Sequence, residues 1–319
     1  MKRLLMPLLT ASAMLLSATA HSHELLVGTH EAIYRYRFDS HTGQLDSTPL
    51  HVLKSTNPSW LTLAPDHRVV FAVNENGDGQ GQVSSFSRAR DSGALSLLSQ
   101  VPSNGDEPTH SSLSGDASHL FVSNYSVVED PGGTLAVLPV GADGKLKPVV
   151  QMSAHPASRV NPERQASNHV HSTVSSPDGR YVFSNDLGAD KVFIYQFDPK
   201  ANPDLPLTPA KTASVSLPAG SGPRHLLFSA DGKHAWLSME MSAQVAVFDY
   251  HDGVLTQTQM VDLAAGQPTS DKAAAALHAS ADGKFLYVSN RGTANQLVVL
   301  SIDPATGQLK ELQKRSVEG

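Results

Sequence analysis

The sequence predicts an all-β fold, a β-propeller built from four-stranded blades. Two observations support this prediction: the chain repeats, and each repeat divides into four short apolar runs separated by turn residues. No part of the repeated region shows a convincing helical period. A unit of about 40–50 residues with four strands, repeated along a chain, is typical of a propeller blade.

Each repeat is anchored by an aspartate in a tight turn. Five copies align on this residue: "NPSWLTLAPDHRVVFAVNE", "EPTHSSLSGDASHLFVSNY", "HVHSTVSSPDGRYVFSND", "GPRHLLFSADGKHAWLSME" and "AAALHASADGKFLYVSNR". Their spacings are 50, 62, 53 and 51 residues, and the anchors are Asp66, Asp116, Asp178, Asp231 and Asp282. A strand pattern follows each anchor, and Gly-x-Leu turns such as Gly93-Ala94-Leu95 separate later strands. Each copy therefore predicts one blade.

The segment before the first copy predicts an incomplete blade. Residues 24–54 contain three strand patterns, "ELLVGTH", "AIYRYRF" and "LDSTPLHVL", and lack an innermost one. Three strands here and four in each of five repeats make 23, whereas six closed blades need 24 and seven need 28. An unclosed ring would expose strand edges. Either a six-bladed ring closes with one defective blade, or the sequence is a fragment.

The first twenty residues differ in kind from the rest. "MKRLLMPLLTASAMLLSATA" combines a basic start at Lys2 and Arg3, an apolar run and an Ala-Thr-Ala cleavage pattern. This predicts a secretory signal peptide over residues 1–20 and a mature chain that starts near His21. We expect residues 21–319 to form a single propeller domain in a bacterial periplasm.

Composition excludes several classes of function. Without Lys2 and Arg3 the chain has 22 basic and 30 acidic residues, a net charge of −8, and no basic stripe. This argues against nucleic acid or anionic lipid as a partner. The chain has no cysteine, which excludes thiolate nucleophiles, disulfides and cysteine zinc sites. We expect a soluble monomer with no membrane association after cleavage.

The repeats differ from one another at three aligned positions, and equivalent positions of successive blades lie in a ring around a propeller axis. Seven residues before the anchor stand Ser59, Thr109, His171 and Arg224. Nine residues after it stand Glu75, Tyr125, Leu187, Glu240 and Arg291. Eight residues after it stand Asn74, Asn124, Asp186, Met239 and Asn290. Because buried charges need partners, a polar ring in an apolar repeat predicts a binding site at one mouth of the channel.

Four of the repeat motifs resemble one known family. "NPSWLTLAPD", "HVHSTVSSPDGRYVFSNDLG", "GPRHLLFSADGKHAW" and "LHASADGKFLYVSNRG" are similar to the seven-bladed β-propeller lactonases. That family includes bacterial propeller-type 6-phosphogluconolactonases and fungal carboxymuconate lactonizing enzymes. The resemblance covers about residues 24–319. It implies a seven-bladed propeller, present here as a C-terminally incomplete chain that lacks about one blade and a closing strand.

The resemblance also implies an active site. His171, Arg224, Glu240 and Arg291 match the histidine, arginine, glutamate and arginine proposed for the carboxymuconate relatives. Opening a lactone requires a base that activates water and donors that stabilise the oxyanion. Arg224 and Arg291 could bind the oxyanion or a carboxylate of the ligand. Either Glu240 or His171 could act as the base. Relatives often have Asn-Glu where this chain has Met239-Glu240.

Further residues are expected to bind substrate, and their alternatives stay open. These candidates are His169, His225, His278, Glu75, Asn124 and Tyr125. Strand alternation places His169 and His171 on one face. A zinc site needs three protein ligands, and no third lies near this pair in sequence, so we expect no metal. For the charged residues the alternative is a salt bridge between blades, and for the asparagines it is a role at strand ends.

These observations together predict a periplasmic lactonase that needs no cofactor. An exported enzyme meets unphosphorylated sugars, so glucono-1,5-lactone is the expected substrate. Three alternatives remain: a muconate-type lactonizing enzyme, a non-enzymatic propeller that binds a ligand or partner, and a quinoprotein. Only two tryptophans and no cysteine pair or haem motif argue against the last.

Overall fold

The computed structural model describes residues 22–125 and 132–317 of the 319-residue chain. These residues form six antiparallel four-stranded sheets, which follow one another along the chain. The predicted signal peptide, residues 1–20, lies outside the described residues. The all-β architecture of consecutive four-stranded sheets agrees with the prediction from the repeats.

The strand bounds show one sheet for each predicted blade. The first two sheets contain β1 (Ser22–Gly28), β2 (Ala32–Asp39), β3 (Gln44–Leu45), β4 (His51–Lys54), β5 (Pro58–Leu63), β6 (Val69–Asn74), β7 (Gln82–Arg88) and β8 (Leu95–Pro102). The third and fourth contain β9 (Pro108–Leu113), β10 (His119–Asn124), β11 (Thr134–Pro139), β12 (Gln151–Ala154), β13 (Val170–Ser175), β14 (Tyr181–Asp186), β15 (Lys191–Phe197) and β16 (Leu207–Ser216). The fifth and sixth contain β17 (Pro223–Phe228), β18 (His234–Met239), β19 (Gln244–His251), β20 (Val254–Asp262), β21 (Ala274–Ala279), β22 (Phe285–Asn290), β23 (Gln296–Ile302) and β24 (Leu309–Ser316). A short 3-10 helix, Thr269–Asp271, precedes β21.

The first sheet has one more strand than the sequence predicts. β2 pairs with β1 on one side and with both β3 and β4 on the other. The third predicted strand is thus broken in two, because the turn residues of "DSTP" interrupt it and Pro49 has no N–H to donate. The described residues therefore contain 24 strands in six sheets. The seventh blade and the C-terminally incomplete chain implied by the resemblance stay predictions.

The anchor aspartates build the same turn in every repeat. In each, the carboxylate accepts a hydrogen bond from the backbone N–H two residues later, donated by Arg68, Ser118, Arg180, Lys233 and Lys284. The residue between has a positive φ, from 55° at Ala117 to 71° at Gly179. An aspartate followed by a left-handed residue closes a tight turn, which explains why this pair recurs.

Apolar side chains fill the spaces between neighbouring sheets. Among the described residues the core divides into five clusters, each formed by two consecutive sheets. The largest buried side chain, Trp236, belongs to the cluster between the fifth and sixth sheets and donates to Gly307 O at 2.8 Å. The first strands of successive sheets contact one another, in the order β5, β9, β13, β17 and β21. This packing brings equivalent residues of successive repeats around one central space.

Residues 22–125 and 132–317 contain no helix with the length and hydropathy needed to cross a bilayer.

Candidate active site

A cavity of about 400 Å³ lies where the first strands meet. All five residues that stand seven before the anchor line it: Ser59, Thr109, His171, Arg224 and Ala275. Four of the five that stand nine after the anchor line it as well: Glu75, Tyr125, Glu240 and Arg291. The fifth, Leu187, is fully buried outside this lining. The aligned positions thus meet at one cavity.

Each first strand is irregular at the residue that faces the cavity. The pairing with the second strand shifts register at this point in all five repeats, in the intervals Pro58–Trp60, Pro108–His110, Val170–Ser172, Pro223–Leu226 and Ala274–Leu277. A β-bulge bends its strand and re-aims a side chain. The bulges therefore explain why the residue seven positions before each anchor aspartate lies at the cavity.

The residues that stand eight after the anchor lie elsewhere. Asn74, Asn124 and Asn290 are buried and donate to neighbouring segments, Asn124 to Ser103 O at 3.2 Å and to Thr134 Oγ1 at 3.1 Å. None lines the cavity. Strand alternation thus turns Asn124 away from the cavity, and its contacts fit the alternative of a role at a strand end.

Glu240 lies at the centre of a cluster of three arginines. Its Oε1 accepts from Arg164 Nη2 at 2.7 Å, and its Oε2 accepts from Arg224 Nε at 2.9 Å and lies 2.8 Å from Arg291 Nη2. Only 9% of its side chain is exposed. Burial alone would raise the pKa of Glu240, but the interaction with His171, the hydrogen bond from Arg164 and the charges of Arg224 and Arg291 outweigh burial and lower that pKa. Glu240 is therefore ionised and a weak base.

Three buried histidines form one side of the same region. The ring centroid of His225 lies 5.5 Å from that of His110 and 5.2 Å from that of His171. Burial, followed by the charge of Arg224, lowers the pKa of His110 to about 3 and the pKa values of His171 and His225 well below 6.5. The imidazoles are therefore neutral at pH 7.

The Arg224 guanidinium lies over the face of the His225 ring. Its Nη1 is 3.3 Å from Nδ1 and 3.2 Å from Nε2. If Nη1 lay in the plane of the ring at these distances from both nitrogens, it would collide with the carbon between them. The ring face of His225 therefore packs against the Arg224 guanidinium, while Glu240 accepts a hydrogen bond from its Nε.

His171 is the neutral imidazole nearest to Glu240. Its Nε2 lies 3.8 Å from Glu240 Oε2, which is too long for a hydrogen bond. Its Nδ1 is buried and has no hydrogen-bond partner in the part of the chain that the structure describes. A proton taken up by His171 would place an imidazolium beside an ionised carboxylate.

The remaining predicted histidines occupy different positions. His225 lines the cavity. His169 does not line the cavity; its ring stacks on that of Tyr125 at a centroid distance of 4.6 Å, and its Nδ1 lies 3.0 Å from Tyr125 O. His278 is exposed and outside the lining. No group of three or more His, Asp or Glu side chains among the described residues is arranged to hold a metal ion.

Arg164 is a site residue that sequence reasoning missed. It lies between β12 and β13 on the longest connection between described sheets, residues 155–169. Its Nη2 bridges Glu240 and the Tyr125 hydroxyl, the latter at 3.3 Å. Asn161 Oδ1 accepts from the backbone of Arg164, and buried Gln165 donates to Leu187 O, so the loop is fixed. The spacing of 62 between two anchors was the signal of this insertion.

Comparison with known proteins places this geometry in a family. The family described as "Lactonase, 7-bladed beta-propeller" matches residues 17–319. The chain belongs to this seven-bladed lactonase family. This lactonase is 30% identical to the 6-phosphogluconolactonase of Bacillus subtilis over 294 residues, 92% of this chain and 80% of the relative. It is 31% identical to the 6-phosphogluconolactonase of Formosa agariphila over 257 residues, 80% of this chain and 70% of the relative.

A solved structure is more similar still. The periplasmic gluconolactonase PpgL of Pseudomonas aeruginosa is 52% identical, with a TM-score of 0.89 over 93% of this chain and 84% of that one. The family and these relatives make the chain a lactone hydrolase of the 6-phosphogluconolactonase type. The enzyme class predicted from the sequence is thereby confirmed.

Removing the charge of Arg164 tests whether the inserted loop contributes to activity in this lactonase. We expect Arg164→Met to lower kcat/KM for a lactone by about 10-fold, because a hydrogen bond to a charged group contributes about 1.5–3 kcal/mol. Arg224 and Arg291 still hold Glu240 in this variant, so the melting temperature should change little. Arg159→Met, an exposed arginine on the same loop, is the matched control and should keep full activity. Equal kcat/KM in the two variants would contradict a role for Arg164.

Proposed function

We propose that this lactonase hydrolyses glucono-1,5-lactone, an unphosphorylated sugar lactone, in the periplasm. The observation that carries the proposal is the convergence of two arginines and a neutral imidazole on one cavity. This arrangement fits hydrolysis, since it offers donors for an oxyanion and a base for water. The 52% identity to a periplasmic gluconolactonase supports the choice of substrate and compartment.

In the proposed reaction the lactone carbonyl oxygen points at Arg224 and Arg291. A water molecule attacks the carbonyl carbon while His171 takes its proton, and the two guanidinium groups stabilise the oxyanion that forms. The bond between this carbon and the ring oxygen then breaks, and His171 returns the proton to the ring oxygen. The product is a ring-opened acid, which loses a proton to solvent at neutral pH.

Glu240 serves this reaction without acting as the base. Three guanidinium groups bind its oxygens, whereas Nδ1 of His171 has no hydrogen-bond partner among the described residues. Its charge instead offsets part of the positive charge of the cluster and stabilises the imidazolium of His171, 3.8 Å away. We therefore propose His171 as the base, with Glu240 fixing the arginines in place.

Two further proposals concern the whole chain. Residues 1–20 have the pattern of a signal peptide, and we propose that the protein is exported and acts as a monomer. N-terminal sequencing of protein recovered from a periplasmic extract should begin near His21. Size-exclusion chromatography of that protein should give the mass of one chain.

Hydrolysis is tested by following acid release from glucono-1,5-lactone with a pH indicator. The wild-type protein should accelerate opening above the rate in buffer, which is itself appreciable. Arg180→Met is a suitable control, because this exposed arginine pairs with Asp178 and Asp252, none of which lines the cavity, and should keep the wild-type rate. A wild-type rate equal to that of buffer would contradict the proposal.

A further inference from the structure

The cavity carries opposite charges on its two sides. Arg224 and Arg291 line it from the fifth and sixth sheets, where they surround Glu240. Glu75 lines it from the second sheet, three sheets before Glu240 along the chain, so the two carboxylates lie on different sides of the central space. The hydroxyl-bearing residues Ser59 and Thr109 lie on the same side as Glu75.

Glu75 is fixed in position while its carboxylate stays free. Its backbone N–H donates to Asn57 O at 2.9 Å, and its carbonyl accepts from Asn57 Nδ2 at 3.4 Å. Within residues 22–125 and 132–317, no hydrogen bond or salt bridge reaches its side chain. Glu75 also lines an adjoining cavity of about 420 Å³, so it stands at the junction of the two. Its unoccupied acceptors are therefore available to a ligand.

More negative charge lies behind Glu75. Burial raises the pKa of Glu107, and the charges of Glu75, Asp106 and Asp78 raise it further, which places these carboxyl groups near one another. Glu107 does not line the cavity. This side of the site therefore repels anions, whereas the arginine side attracts them.

We propose that Glu75 is a specificity-determining residue that orients an uncharged polyhydroxy lactone and excludes lactones with an anionic tail. The proposal rests on the proposed lactone hydrolysis. With the lactone carbonyl at the arginines, the hydroxyl groups at the far end of the sugar lie at Glu75, which accepts their hydrogen bonds. A phosphate at that end would lie beside the carboxylate and be repelled.

The arginines give a phosphorylated lactone an alternative, reversed pose. Its phosphate would bind Arg224 and Arg291, since guanidinium groups bind phosphate well. The carbonyl would then point toward Glu75, away from His171. A phosphorylated lactone should therefore compete with glucono-1,5-lactone while being hydrolysed slowly.

The test measures kcat/KM for glucono-1,5-lactone and for its 6-phosphate in the wild type and in Glu75→Gln. Glutamine keeps the shape and removes the charge. We expect about a 10-fold loss on the unphosphorylated lactone, since a hydrogen bond to a charged group is lost, and about a 10-fold gain on the phosphorylated one. The ratio of kcat/KM for the unphosphorylated lactone to kcat/KM for the 6-phosphate should therefore fall by about 100-fold. The melting temperature should not fall, because no group among the described residues pairs with the carboxylate.

Glu107→Gln is the matched control, because it removes a nearby negative charge that does not line the cavity. A ratio that stays constant in Glu75→Gln, or that shifts equally in Glu107→Gln, would overturn the role of Glu75 while leaving hydrolysis intact. A wild-type enzyme that prefers the phosphorylated lactone would overturn it as well. Failure of the wild type to hydrolyse either lactone would overturn the proposed function and this inference together.

Discussion

Arg224→Met is expected to lower kcat/KM for glucono-1,5-lactone by about 10²–10³-fold, the usual cost of removing one oxyanion donor. Arg224 is the most buried of the three arginines around Glu240, with 13% of its side chain exposed. Its guanidinium is held by Glu240 and by the face of His225, so it reaches the cavity in one orientation. A methionine fills similar space without donating a hydrogen bond.

The pH dependence of this variant separates a direct role from a general loss of structure. Burial and the charge of Arg224 lower the pKa of His171, so removing that charge should raise this pKa toward 6.5. Since the neutral imidazole is the active form, the acid limb of kcat/KM should move to higher pH. Arg180→Met should change neither rate nor profile. An Arg224→Met enzyme with wild-type kcat/KM would contradict the assignment.

Glu240→Ala is expected to lower the free energy of unfolding by about 3 kcal/mol and to abolish activity, because removing one partner of a buried ion pair leaves uncompensated charge. Arg164, Arg224 and Arg291 all lose their shared acceptor in this variant. Repulsion among them would also displace the donors from the position of the oxyanion.

Urea denaturation measures this loss, and added formate tests its cause. A small carboxylate can occupy the space left between the three guanidinium groups, so formate should raise the stability of Glu240→Ala more than that of the wild type. Asp252→Ala, which breaks an exposed pair with Arg180, should cost less than about 1 kcal/mol. Equal losses in the two variants, with no effect of formate, would contradict a charge-compensating role for Glu240.

The repeats predicted the architecture because strand alternation and turn chemistry are local properties. Aspartate, a left-handed residue and an apolar run recur in each copy, and each builds the same turn. Aligning copies on that turn also predicted which positions meet, since equivalent positions of successive blades surround one space. His171, Arg224, Glu240 and Arg291 meet at the cavity for this reason.

Other features of the site depend on contacts that no local pattern reveals. The bulges at the first strands follow from the pairing of two strands, so the placement of Arg224 could be predicted only by analogy between repeats. Arg164 belongs to an insertion and has no aligned counterpart. The lowered pKa of Glu240 arises from His171 and from three arginines on three different segments, and sequence alone left Glu240 equal to His171 as a candidate base.

The central claim is that a neutral His171 activates water beside a fixed arginine cluster. The pH–rate profile of glucono-1,5-lactone hydrolysis, measured in the wild type and in His171→Asn, tests this claim. Because the pKa of His171 lies well below 6.5, kcat/KM should stay level from pH 7.5 to below pH 6.5 and fall only at lower pH. His171→Asn should lose about 10³-fold in kcat/KM and show no such limb. A His171→Asn enzyme with the wild-type rate and profile would contradict the account.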